Sequence, residues 1–143
     1  MKCINEMKMS FLSRSANEGL ARVTVAAFAS QLDPTLDEIS EIKTAISEAV
    51  TNCVVHGYKD GIGVIYIRAR LFENGILTVT VRDRGCGIED IKKAREPLYT
   101  SSETGDRAGM GFTIMESFTD KMRVRSTLGK GTSVTLSKQL KLK

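Results

Sequence analysis

A glutamate and an asparagine stand four residues apart in a segment with helical periodicity. Glu48 and Asn52 fall on one stripe of this predicted helix, roughly opposite its apolar positions. Two interpretations are open: a solvated polar face, or a carboxylate and an amide directed together into a pocket. Because an amide oxygen can ligate Mg²⁺ without adding charge, and Mg²⁺ often takes substrate phosphates as ligands, the second interpretation predicts phosphate chemistry.

A second candidate is an aspartate at the end of a predicted strand. The apolar alternation over residues 77–81 continues to Asp83, so this carboxylate is expected to point into the apolar layer and to need dedicated hydrogen-bond donors. Gly85 and Gly87 follow it and permit a close approach of the backbone to a ligand. An ordinary Asp-x-Gly turn is the alternative. The ligand interpretation is that Asp83 accepts a hydrogen bond from the exocyclic amine of adenine.

A glycine pair, Gly109 and Gly111, precedes a further predicted helix. Backbone N–H groups at a helix N-terminus bind phosphates, whereas a flexible hinge is the alternative interpretation. The spacing is not that of a P-loop, and no parallel strand of a βαβ unit precedes it, which argues against a Rossmann site. The polar, aperiodic segment before it, about 96–108, is predicted to be a mobile loop.

The elements that must position these residues follow the order β-α-α-β-β-α-loop-α-β-β. Capping boxes at Ser15/Glu18 and Thr35/Glu38 predict two helices, the second running to about Gly57. Alternating strands flank a turn at 73–75, and two more strands close the chain. The expected fold is α+β, a two-layer sandwich with helices on one face of a mixed, mostly antiparallel sheet.

Composition limits the possible classes of protein. The 143 residues, 41% of them hydrophobic, predict one domain over 1–143, with no apolar run near the ~18 residues of a membrane span and no secretory signal. Three cysteines without a CxxC pair favour a reduced, cytoplasmic protein without a zinc site. The formal charge of +4 is scattered along the chain, so we expect phosphates and acidic proteins as partners, and neither a nucleic acid nor a membrane.

Taken in order, these motifs resemble those of the GHKL superfamily of ATPases and kinases, over about residues 11–136. The similarity is closest to the family of anti-sigma-F serine kinases of endospore-forming bacteria, and it is carried by the following stretches: 21–25, 32–35, 56–58 and 107–116. The loop after Tyr58 looks shorter than is usual for the family.

The resemblance implies a role for each matching position. Glu48 would be the general base that takes the proton of a serine. The implied nucleotide contacts are Asn52 as Mg²⁺ ligand, Asp83 as adenine acceptor, Thr132 near the base, Gly85 and Gly87 along the nucleotide, and Arg107, Gly109, Met110 and Gly111 around the phosphates of an ATP lid. Arg22 would be a contact for a protein partner.

The function that the resemblance implies is twofold. The protein would bind and inhibit a sporulation sigma factor, and it would use ATP and Mg²⁺ to phosphorylate a serine of the anti-anti-sigma antagonist, leaving ADP. The family forms homodimers. Two alternatives stay open: a stress-response anti-sigma kinase, and a nucleotide-gated sigma-binding module without phosphotransfer. A histidine kinase is disfavoured, because no helical hairpin carries a phospho-accepting histidine.

Overall fold

The computed structural model describes residues 2–95 and 111–140. The predicted lid at 96–108, together with Arg107, Gly109 and Met110, lies outside these residues. The described strands are β1 (Cys3–Leu12), β2 (Val64–Phe72), β3 (Ile76–Arg82), β4 (Lys121–Thr127) and β5 (Gly131–Gln139). The described helices are α1 (Asn17–Ala29), α2 (Leu36–Asn52), α3 (Ile91–Ala94) and α4 (Gly111–Ser117), with a 3₁₀ turn at Ser30–Leu32 and a π turn at Cys53–Gly57.

The five strands form one sheet in the order β1-β2-β3-β5-β4, and every pairing between them is antiparallel. Helices α1, α2 and α4 pack together on one face of this sheet. The predicted α+β sandwich is therefore confirmed, and its described strands form a purely antiparallel sheet rather than a mixed one.

The core lies between the helices and the inward face of the sheet. Alternate strand residues such as Ile65, Ala69 and Val81 are buried against Val25 of α1 and Val50 of α2. Burying an aliphatic side chain of this size contributes roughly 1.5–3 kcal/mol to the free energy of folding. The apolar core between helices and sheet therefore holds the two layers together. None of the helices in the described ranges is both long and apolar enough to cross a membrane.

Only one of the two predicted capping boxes forms. At α2, the Glu38 backbone N–H donates to Thr35 Oγ1 over 3.1 Å, and the Thr35 N–H donates to Glu38 Oε1 over 2.8 Å. The predicted box at Ser15 is wrong, since no side chain caps α1. The physical reason is that the Glu18 carboxylate accepts from Arg22, one turn further along the helix, at 3.1 Å.

The predicted second helix has the expected extent but changes type near its end. After Asn52 the backbone widens into the π turn, which closes with a 2.8 Å bond from the Tyr58 N–H to the Cys53 carbonyl. Single π turns inside or after α-helices are often found at functional sites. Here the turn brings Gly57 against the end of β3, where Asp83 lies.

The basic run Lys138, Lys141 and Lys143 near the C-terminus predicts a solvated strand end, and for Lys138 this prediction is wrong. Lys138 lies on the helix side of β5, its side chain is only 12% exposed, and its Nζ is 3.6 Å from Glu41 Oε2. The Lys138 ammonium also donates a hydrogen bond to the Phe118 carbonyl. Oxygen atoms of the protein therefore replace water as the partners of this charge.

Candidate functional site

A cleft of about 250 Å³ opens at the end of β3 and the start of β5, beneath the π turn and beside α4. Three of the elements that the sequence singled out meet in this cleft: the end of α2, the Asp83 turn and the start of α4. Its polar lining includes Asn52, Cys53, Asp83, Cys86 and Thr132. Its apolar lining includes Ala49, Val81, Ile88, Phe112 and Val134. A mostly apolar slot with a few placed polar groups is typical of a small-ligand site.

Asp83 is the buried carboxylate of this cleft, as the strand alternation predicts, and it is only 5% exposed. Its Oδ1 accepts from the backbone N–H of Gly85 at 2.9 Å and of Thr132 at 3.2 Å. Burial raises the pKa of Asp83 above its ordinary value, while the two N–H groups and the Cys53 thiol oppose that rise. The dedicated donors that the sequence required are therefore present, and both backbone bonds fall on one oxygen.

Close backbone packing surrounds the other oxygen of Asp83. A Cβ at Gly57 would lie 2.7 Å from Asp83 Oδ2, and a Cβ at Gly85 would overlap the Gly57 carbonyl oxygen. Gly87 adopts φ +77°, and a Cβ there would meet the backbone of Thr127. Gly57 and Gly85 let the turn after β3 pack against the π turn, and Gly87 lets it pack against the end of β4. From the sequence, Gly57 is predicted as a helix stop and lies in one of the stretches that carry the family resemblance, but its contact with Asp83 is not predicted.

Tyr58 is a residue of this region that sequence reasoning missed. Its hydroxyl donates to the Val64 carbonyl and accepts from the Arg84 backbone N–H, both at 2.6 Å. It therefore fixes the residue next to Asp83 to the start of β2. In the sequence, Tyr58 is an aromatic residue that follows a glycine at a predicted helix end. This pattern indicates a packed ring and does not predict that its hydroxyl holds the backbone next to Asp83.

A hydroxyl pair supports the opposite wall of the cleft. Thr132 Oγ1 lies 2.8 Å from Ser126 Oγ, which also accepts from the Ile88 N–H at 2.7 Å. Ser126 was not predicted, because an alternating serine on β4 is indistinguishable from a solvated strand residue. The pair places the Thr132 hydroxyl on the same strand end as the Thr132 N–H that binds Asp83.

Asn52 and Gly111 meet at the other end of the cleft. A Cβ at Gly111 would lie 2.9 Å from Asn52 Oδ1, so a side chain at this position would displace the Asn52 amide. No group of three or more His, Cys, Asp or Glu able to hold a metal is present among residues 2–95 and 111–140. The half-buried Asn52 amide nevertheless fits Mg²⁺, which is bound in nucleotide sites by few protein ligands together with phosphates.

Glu48 is not on a solvated face. It lies one turn before Asn52 on α2, is 8% exposed, and is not part of the open lining of the cleft. Periodicity alone assigns this stripe to water, but α4 packs along α2, and within the stripe Glu48 is buried whereas Glu41 is one-third exposed. Glu48 is therefore a buried carboxylate one helical turn from Asn52. This burial is inconsistent with the interpretation of the pair as a solvated polar face.

Arg22 lies on α1 and takes no part in the cleft. Its guanidinium is 40% exposed and contacts Glu18 and the Ser47 hydroxyl, the latter at 3.3 Å. Leu20 and Val23 of the same helix are 51% and 58% exposed, so α1 presents both a cationic and two apolar side chains to solvent.

Comparison with known proteins agrees with this geometry. Residues 11–138 match the family model of the histidine kinase-like ATPase domain. Anti-sigma F factor of Thermoanaerobacter sp. strain X514 is 55% identical over 140 residues, covering 98% of this chain and 97% of that protein. Anti-sigma F factor of Clostridium novyi strain NT is 56% identical over 138 residues, covering 96% of each.

A solved structure shares the fold. The crystal structure of the RsbU and RsbW domains of a Mycobacterium tuberculosis protein superimposes with a TM-score of 0.70 at 22% identity, covering 95% of this chain and 32% of that one. The domain is accordingly of the nucleotide-binding, kinase-type ATPase class. The chain belongs to the histidine kinase-like ATPase domain family and, within it, to the family of anti-sigma F factors.

Proposed function

We propose that this protein is an ATP-dependent serine protein kinase that also binds and inhibits a sporulation sigma factor, and that its phosphorylation substrate is the anti-anti-sigma antagonist. The observation that carries the proposal is the buried Asp83 carboxylate. It is held by two backbone N–H groups at the end of an apolar slot, on a chain from the family of anti-sigma F factors.

Adenine fits this slot chemically. Because both backbone hydrogen bonds fall on Asp83 Oδ1, Oδ2 would be the oxygen that accepts from an exocyclic amine. A guanine would present a carbonyl oxygen at the corresponding position, and a carboxylate repels it. The Thr132 hydroxyl, held by Ser126, supplies a second polar contact near the base.

The phosphates would extend from the slot toward Asn52 and Gly111. Asn52 would hold Mg²⁺ through its amide oxygen, and the ion supplies charge neutralisation for the phosphates. Backbone N–H groups at the start of α4 would face the phosphates, together with Gly109, Met110 and Arg107 of the preceding segment. In phosphoryl transfer, positioning and charge stabilisation account for most of the catalysis.

Glu48 would act as the general base. The serine oxygen attacks the γ-phosphorus, the bond between that phosphorus and the bridging oxygen breaks, and ADP leaves with the electron pair. The serine proton passes to the Glu48 carboxylate, which is buried one turn from Asn52. Positioned general bases contribute typically ~10²–10⁴-fold in rate.

The protein partners follow from the relatives, whose name states that they are anti-sigma F factors. Arg22 with its exposed apolar neighbours would contact a partner, and the protein would act as a homodimer in the cytoplasm. A sigma-binding module without phosphotransfer is the competing function, since it needs the nucleotide slot but not Glu48.

Substitution of Glu48 separates the two. Glu48→Gln keeps shape and helix but cannot take a proton, so ATP affinity and ATP-dependent binding of the sigma factor should persist while single-turnover phosphorylation of the antagonist falls by ~10²–10⁴-fold. Glu41→Gln, on the same stripe of α2 and one-third exposed, is the matched control and should leave the rate unchanged. An unchanged rate in Glu48→Gln would exclude Glu48 as the base. Parallel loss of binding and phosphorylation would mean that Glu48 is structural.

A further inference from the structure

The sheet face turned away from the helices carries a concentration of positive charge that the linear sequence does not reveal. We define the basic face as the outward-facing residues of the five strands with the adjoining Arg84. Its cations are Lys8, Arg68, Arg70, Arg82, Arg84, Lys121, Arg123 and Arg125. Glu6 is the one acidic side chain among the described strand residues of this face, and Asp120, just before β4, lies at its edge beside Lys121.

Strand periodicity produces this concentration. Successive outward positions on a strand are two residues apart, and antiparallel pairing sets them side by side across the sheet. One such row runs from Lys8 through Arg68, Thr80 and Thr135 to Arg123. Charges that are scattered along the chain are thereby collected on one surface, so the scatter gives no reason to exclude a polyanionic partner.

The single carboxylate of Glu6 neutralises little of the positive charge on this face. Glu6 is shared by Arg68 at 2.7 Å, Arg70 at 3.5 Å and Lys8 at 3.8 Å. The other five cations have no ion pair within residues 2–95 and 111–140. They are Arg82 and Arg84, which rest on the Tyr66 ring at 5.0 Å each, and the exposed residues Lys121, Arg123 and Arg125 of β4.

The cations flank a neutral trough. Hydroxyl side chains of β3 and β5 line its floor, where Thr80 Oγ1 lies 3.1 Å from Thr135 Oγ1 and Thr78 Oγ1 lies 3.4 Å from Ser137 Oγ. With strands about 4.8 Å apart, the cations of β4 stand about 14 Å from those of β2 and about 10 Å from Arg82 on β3. An α-helix with its side chains is about 10–12 Å wide.

We propose that the basic face binds an acidic α-helix of a partner protein, which lies along the hydroxyl trough with carboxylates on its two flanks. One flank would meet Lys121, Arg123 and Arg125, and the other would meet Arg68 and Arg82. Arginine pairs carboxylates bidentately, and the hydroxyl floor can donate to side chains between the flanks.

Two other occupants are less compatible with the face. Single-stranded nucleic acid is bound largely by stacking bases on aromatic rings, but Tyr66 is already covered by two guanidinium groups and Phe72 by that of Arg70. A second copy of this chain would bring the same excess of cations against itself, which is repulsive.

The test uses fluorescence anisotropy with two labelled helical probes and a nucleic-acid probe. The first probe is an alanine-rich peptide of about 18 residues with glutamates on two opposite flanks, a helix of roughly 27 Å. The second has the same composition with all glutamates on one flank. The third is an oligomer of about 18 thymidines. The full-length protein is compared with Arg123→Glu/Arg125→Glu and with Arg14→Glu/Lys43→Glu, which changes the net charge equally but lies off the sheet.

We expect the two-flank peptide to bind more tightly than either other probe. Arg123→Glu/Arg125→Glu should weaken the binding of this peptide by about tenfold or more. The control Arg14→Glu/Lys43→Glu should weaken it by less than about twofold. Both double variants should retain circular dichroism and ATP affinity. Equal binding of the two peptides, tighter binding of the oligonucleotide, equal losses in both variants, or no binding would each overturn the proposal.

Discussion

Asp83→Asn tests the adenine assignment, and the structure determines how the new side chain must sit. The backbone N–H groups of Gly85 and Thr132 both point at Oδ1, so the amide oxygen of the asparagine has to take that position. Its NH₂ group then occupies the position of Oδ2, where the assignment places the adenine amine. An acceptor for the adenine amine is thereby replaced by a second donor.

The expected loss of ATP affinity is large. A hydrogen bond from the adenine amine to a charged acceptor is replaced by two N–H donors, those of adenine and of the asparagine, that point at each other. Hydrogen bonds to charged groups contribute about 1.5–3 kcal/mol, and a buried unsatisfied donor costs a comparable amount. A total of about 2–4 kcal/mol corresponds to roughly 30- to 1,000-fold weaker ATP binding, which isothermal titration calorimetry measures directly.

Stability provides the internal check on this variant. Burial raises the pKa of Asp83, so its ionised form costs folding free energy. That cost is absent below the unfolded-state pKa and grows as the pH rises through the folded-state value. Asparagine lacks this cost, so the free energy of unfolding at neutral pH should be equal or greater. Asp60→Asn, the same change at an exposed position, should alter neither quantity. Normal ATP affinity in a folded Asp83→Asn protein would refute the assignment.

Two further predictions follow from the same cleft. Asn52→Ala should leave the melting temperature within a few degrees, because this half-buried residue lies outside the core, and it should reduce the Mg²⁺-dependent part of ATP affinity by about 10- to 100-fold. Equal Mg²⁺ enhancement in both proteins would contradict this. Burial and the neighbouring Asp83 charge raise the pKa of the Cys53 thiol well above its ordinary value, so in native protein Cys53 should alkylate more slowly than Cys3 and Cys86, and at the same rate as they do in denaturant. Mass spectrometry of the three peptides decides the order.

Much of the fold is accessible from the sequence because one face of each strand is apolar. The alternation over β2 and β3 predicts both the hairpin and the burial of Asp83, and both are found in the structure. The Thr35/Glu38 capping box predicts the start of α2 for a local reason, since both of its hydrogen bonds lie within one turn.

The features that were missed depend on contacts distant in sequence. Glu48 is buried because α4 packs along α2, which the periodicity of α2 cannot indicate. The π turn ends at Gly57, whose missing side chain matters only because Asp83 lies against it. The basic face arises when five strands align charges that are far apart in the chain.

We propose that this protein transfers the γ-phosphate of ATP to a serine of another protein. The most direct test is incubation of the full-length chain with Mg²⁺ and ATP labelled at the γ-phosphate, together with the anti-anti-sigma antagonist, followed by separation of labelled protein from labelled inorganic phosphate. We predict that label appears on a serine of the antagonist and that Asp83→Asn strongly reduces the transfer at ATP concentrations that just saturate the unsubstituted protein. Label found in inorganic phosphate alone, or no consumption of ATP, would contradict the account.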